Sequence, residues 1–154
     1  MANTQGMASS FKSELMQGVH ALGPGTLTPA RTIGVPDTVK AALYFATATL
    51  SAATTAYSAT GEVGNSGSYA AGGSAVTMAV APSTSGTTGI FTPSAGISYT
   101  GFSAAAFDCC LLYNSSQANR AISVHTFGTQ TIVAGTFTLT MPANDAANAL
   151  VRIA

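Results

Sequence analysis

Charge is what this chain has least of. Five of its 154 residues are Lys or Arg and five are Asp or Glu, 6% of the total, with a formal net charge of zero. Soluble domains ordinarily carry about a quarter charged residues. With no basic excess, and with Lys12, Lys40 and Arg120 scattered, there is no electrostatic footprint for nucleic acid. Tryptophan is absent altogether, which removes the strongest aromatic anchor of binding hot spots. Cysteine is nearly as scarce. Cys109 and Cys110 are adjacent, and neighbours on a strand point to opposite faces, so they are badly placed to pair. They fit no metal-ligand spacing and read as two small buried hydrophobes. No apolar run approaches the length of a membrane span. Residues 1–7 lack the basic start and apolar centre of a secretory signal, so synthesis in a cytoplasm is expected.

The marks of catalysis are missing too. Glu14, Asp37, Glu62, Asp108 and Asp145 lie far apart and form no calcium loop. The opposed carboxylates of a glycosidase would have to be assembled by the fold. No Gly-x-Ser-x-Gly elbow occurs. The glycine-rich stretch 61–73 lacks the Lys-Ser/Thr ending of a phosphate-cradling loop and reads as a flexible loop or two short irregular strands. His125 shares a strand face with Ser123 and Phe127, and strand pairing offers it one carboxylate, Asp108. A hydrogen-bonded structural histidine is the preferred reading. Asn114-Ser-Ser116 has the form of a glycosylation acceptor, idle without a secretory route. The expectation is a protein that is not an enzyme, with no catalytic residue, cofactor or metal.

What is present argues for strands. A hydrophobic fraction of 47% is too high for a disordered chain, and the length suits one domain. Residues 104–128 are two apolar runs joined by the polar link 114–119, the pattern of a hairpin. Its first run is apolar at nearly every position, so both faces should be covered. Other expected strands are 39–46, 75–81, 89–92, 97–100, 131–133, 135–141 and 149–153, with loops or connections at 47–60 and 83–89. The fold class expected from about eight short strands is all-β, an antiparallel sandwich or barrel, with an N-terminal helix and an extended arm. Residues 1–8 read as a mobile tail. The helix is expected over 11–22, capped by Ser9 or Ser10 and stopped by Gly23-Pro24-Gly25, with Gly18 a weak point and Glu14 and His20 placed to suit the dipole. Three prolines in 24–36 mark the arm. The expected division is a helix and arm over 1–37 and a sandwich over 38–154. A helix of about three turns is marginal alone in water, so it should exist only docked, on its own domain or on a neighbouring subunit.

Several segments are similar to a group of small tailed-bacteriophage virion structural proteins. They are Ser10 to His20, Val39 to Tyr44, Ala48 to Leu50, Tyr57 to Val63, Gly67 to Gly73, Leu111 to Asn114, Asn119 to Ala121 and the ending 143–153. The likeness departs at 24–36 and 82–100. What the resemblance implies is a particle component, a capsid decoration or cement protein whose body is a jelly-roll-like antiparallel β-sandwich. Its partner would be the major capsid protein of the same virus, with a homo-oligomer (dimer or trimer) as the unit, neither nucleic acid nor membrane, and a place on the outer capsid surface. The residues expected at the protein interface are Phe11, Leu15, Met16, Val19, Leu22, Leu27 and Ile33. The alternatives are a tail, neck or fibre component, or a carbohydrate-binding β-sandwich module.

Overall fold

The computed structural model describes residues 2–23, 26–27, 31–32 and 36–154. In chain order the elements are β1 (Gly6–Met7), α1 (Ser9–Met16), β2 (Thr26–Leu27), β3 (Arg31–Thr32), β4 (Val39–Phe45) and β5 (Ser74–Ala75). There follow β6 (Ser83–Ser85), β7 (Thr88–Phe91), β8 (Ile97–Asn114), β9 (Arg120–Leu139) and β10 (Val151–Ile153). The sheets run β1-β9-β8-β4-β5, β10-β7-β6 and β2-β3, and every pairing within them is antiparallel. Among the described residues the fold is all-β with one short helix, as the strand pattern predicts. A finer jelly-roll topology is not defined by these three sheets.

The hairpin β8–β9 is the centre, and it is longer than its apolar stretch suggests. From Cys109 to Leu112 the register is regular, with Tyr44, Cys109 and Thr126 abreast and Leu43, Cys110 and His125 abreast, before one slip between Leu112 and Tyr113. Cys109 and Cys110 are both buried, which confirms that both faces of this run are covered. Away from the turn the pairing slips repeatedly between Tyr99 and Cys109. Positive φ at Gly101, Ala106, Gly128 and Ala134 accompanies the slips. Such bulges increase the local twist. One face of the coiled ribbon gathers Phe102, Phe107, Phe127 and Phe137, with Phe107 edge-on to Phe137 at 4.9 Å and to Phe102 at 5.3 Å. The stretches 97–100, 131–133 and 135–141, expected as separate strands, belong to this one pair, the last only as far as Leu139.

The N-terminal residues are not a tail. Asn3 donates from Nδ2 to the carbonyl of Phe45 (3.0 Å) and to Asp108 Oδ1 (2.6 Å), and its Oδ1 accepts from the amide of Leu50 (3.0 Å). β1 pairs with β9, and Ala8 and Phe11 are fully buried in the main core. The expected break between 37 and 38 therefore has no counterpart in the packing of residues 3–16.

The helix is shorter than expected and capped differently. No serine side chain caps it; the first residue outside it is Ala8, and the amide of Ser9 is met by the carbonyl of Ala52. It ends at Gly18, whose φ of 68° allows Gly18 to donate to Leu15 and Val19 to donate to Glu14. Those two bonds are the Schellman closure of a helix. Gly18 is thus the stop, not a weak point within, and His20 lies beyond the helix. Two other expectations change. Of the alternating run 75–81 only Ala75 joins a sheet, as the end of β5, and 83–85, expected as loop, is β6. The glycine-rich loop serves close approach: Gly67 sits against Thr100 of β8 with φ of 56°, where a side chain would collide with backbone. Ser66 and Ser68 beside it bond to Ser103 and Thr100, covering that edge of β8.

Candidate functional site

The amphipathic face expected to meet a partner is largely turned inward. Phe11 is fully buried, and Leu15 and Leu22 are partly buried against the same core. Val19 is half-buried, and only Met16, 86% exposed, stands free. Once the helix stops at Gly18, Val19 and Leu22 no longer share its face. Leu27 lies in β2 opposite Arg31; its side chain and all of Ile33 lie outside the described residues. The helix therefore docks on its own domain.

Beneath it lies a polar cluster that pattern reading missed. Glu14 is 4% exposed. It accepts from Arg120 Nη1 (2.5 Å) and from His20 Nε2 (2.8 Å). Asn114 Oδ1 accepts from the amide of Ser116, which fixes its amide group so that Nδ2 donates to His20 Nδ1 (2.9 Å) and to Asp37 Oδ2 (2.7 Å). His20 Nδ1 is then an acceptor and Nε2 the donor. Asp37 also accepts from the amide of Ala21 (2.8 Å) and from Gln117 (3.1 Å). Burial alone would raise both carboxyls. The bonds from His20 and Arg120 overcome this for Glu14, and those from Ala21, Asn114 and Gln117 for Asp37, so both lie below their ordinary range. A legible signal existed for Glu14. It stands three residues after Phe11 and shares its buried face.

A carboxylate beside a histidine resembles a catalytic pair, but the geometry gives it no reach. Both nitrogens of His20 are occupied, and its side chain has no exposed surface. The pair fastens the helix and residue 37 to the hairpin turn.

The remaining carboxylates are held in the same way. Glu62 accepts from Tyr57 (2.6 Å), Tyr69 (2.8 Å) and the amide of Gly72 (2.6 Å). Burial, followed by these bonds to Glu62, pushes the Tyr57 phenol upward. Asp108 holds Asn3. Asp145 closes the turn before β10 through Ala147 and Asn148. Every acidic side chain in the chain is thus hydrogen-bonded internally.

Across the hairpin, His125 faces Cys110 and not Asp108, so the anticipated encounter with a carboxylate does not form. Its Nε2 pairs with Ser123 Oγ at 2.8 Å. Burial lowers its pKa to about 4, so the ring is neutral at pH 7. Burial pushes the Cys109 thiol up to about 12 and that of Cys110 higher still, so neither offers a thiolate. Among the described residues, no group of three or more His, Cys, Asp or Glu could hold a metal ion, and no helix is long and apolar enough to cross a membrane. Three clefts open on the surface of the described residues: one of about 300 Å³ between α1 and the β10-β7-β6 sheet, one of about 360 Å³ beside His125 on the side of Leu112 and Leu139, and one of about 240 Å³ bounded by Met7, Ser123, His125 and Arg152. The chain matches no protein-family model, no curated protein and no solved structure.

Proposed function

We propose that the protein is a structural component of a tailed-bacteriophage virion, a capsid decoration or cement protein. It binds the outer surface of the shell and stabilises it through contacts with several copies of the major capsid protein. The unit that binds is a homo-oligomer, a dimer or trimer, made in the host cytoplasm, and its body is a jelly-roll-like sandwich. Catalysis has no part in this role.

One observation carries the reading. Only ten of 154 residues are charged, and Arg120 and Glu14 neutralise each other, which leaves a surface rich in Thr, Ser and Ala with very few charges. A free monomer normally depends on surface charge for solubility. A surface this neutral suits a protein covered on several sides. Many modest uncharged contacts, engaged together, give strong attachment without any one of them being strong. The similarity of the segments around Ser10 to His20 and Gly67 to Gly73 to phage structural proteins points the same way.

The contacting surface must be redrawn, since Phe11 belongs to the core. Met16, with Val19 beside it, is the part of the expected face that a neighbour can reach. Deleting residues 1–37 would remove core side chains along with any contact, so point substitutions at Met16 and Val19 are the informative variants. Cryo-electron microscopy of the particle tests the whole reading. It should find this chain in many copies on the outer shell. A location confined to the tail or neck, or absence from the particle, overturns it.

A further inference from the structure

We infer that the cleft beside His125 binds a small uncharged molecule carrying an aromatic ring and one hydroxyl group. The inference is independent of the virion role. The cleft, about 360 Å³, is walled by Leu112, Phe127, Phe137, Leu139 and Leu150, with His125 among them. Sites for small molecules commonly span about 300–1,000 Å³, with apolar walls and a few fixed polar groups.

Three features define the ligand. First, no Asp, Glu, Lys or Arg lines the cleft. A charged ligand would lose its hydration and find no counter-charge, which is costly. Second, Phe127 and Phe137 lie with ring centroids 5.4 Å apart at a tilt of 43°. A third ring can join such a pair edge-on or offset-stacked. Third, His125 has one nitrogen committed and one open. Nε2 is bonded to Ser123 Oγ, itself buried, while Nδ1 has no hydrogen-bond partner among the described residues. If Nε2 carries the proton, Nδ1 accepts; if Ser123 donates, Nδ1 carries the proton and donates. A hydroxyl group can answer either tautomer, whereas an ammonium can only donate and a carboxylate can only accept. Because burial keeps the imidazole neutral at pH 7, it adds no charge that would favour an anion.

The test is a pair of probes, p-cresol and toluene, titrated into the full chain and followed by heteronuclear NMR. Both should give saturable shifts centred on Leu112, His125 and Leu139. p-Cresol should bind about fivefold tighter, the effect of one hydrogen bond, and His125→Phe should erase that preference, so that the two probes then bind with equal affinity. Should His125→Phe fail to fold, Leu139→Trp at a half-buried wall position must abolish binding of both probes. The inference is overturned by no saturable shift at millimolar probe, by shifts centred on either other cleft, that of Phe11 and Ile90 or that of Met7 and Arg152, by a p-cresol preference that survives His125→Phe, or by binding that survives Leu139→Trp.

Discussion

The two halves of the β8–β9 hairpin differ in composition, Leu, Cys and Tyr near the turn against Thr, Gly and Ala far from it, and they meet opposite fates. The half near the turn, from Phe107 to Asn114 on β8, is covered on both faces and buried or nearly so throughout. β4 lies along its edge, and the Glu14–His20–Asn114–Asp37 cluster fastens the turn. The far half of β9, from Gly128 to Leu139, has no strand beyond it among the described residues, and Val133 there is 82% exposed. Bulges separate the halves. The lesson is that the few charges of this chain stabilise the buried half, while the exposed half is left neutral. Neutral exposed surface is what a covered structural protein can tolerate, and the contrast yields tests of decreasing size.

The largest effect should come from truncating the protected half. Phe107→Ala removes a fully buried ring and should cost about 3–5 kcal/mol in urea unfolding. Val133→Ala in the other half should stay within about 0.5 kcal/mol. Equal losses would erase the distinction. Next, Glu14→Ala leaves the buried N–H of His20 without its acceptor and Arg120 without its partner. Arg120 is partly exposed, so the expected loss is about 2 kcal/mol, less than for a fully buried pair.

Acid should attack the same half, with a worked-out sign. Glu14 and Asp37 are held below their ordinary values, so near those values the unfolded chain binds more protons than the folded one. Their contribution is complete above the ordinary carboxylate range and is lost as pH falls through it. His125 acts at higher pH. Its folded value of about 4 lies below its ordinary 6.5, so stability should already decline as pH drops from 6.5 toward 4. Urea midpoints measured across this range should fall. His125→Gln should flatten the upper part of the decline, and Glu14→Gln the part below it. Smallest in energy is a difference in local opening. Amides of residues 109–113 should exchange with solvent at least about tenfold more slowly than those of 129–136, as read by hydrogen-exchange mass spectrometry. Comparable rates would mean that the far half is covered after all.

The same contrast explains what could be read from the residues beforehand. The apolar run around Cys109 and Cys110 announces a doubly covered strand, because burial on both faces leaves a mark at every position. The far half hides its continuity, since the irregular pairing around Gly101, Ala106, Gly128 and Ala134 interrupts the period of two on which strand reading depends. Asn3 gives no local hint of its role, because its partner Asp108 is 105 residues away. Gly18 was visible, but a glycine that ends a helix and one that weakens it look alike until the chain direction beyond is known. The candidate contact face misled for a related reason. An amphipathic stripe records that a helix docks, not on what, and here Phe11 and Glu14 answer to the helix's own domain.

The most direct measurement is the salt dependence of capsid binding. Purified protein would be added to capsids lacking it, and attachment quantified by sedimentation. Contacts made by a surface with few free charges should be nearly insensitive to screening. The apparent affinity should change by less than about threefold between about 50 mM and about 500 mM sodium chloride. Binding that collapses as salt rises, or no binding at any salt concentration, would contradict the account.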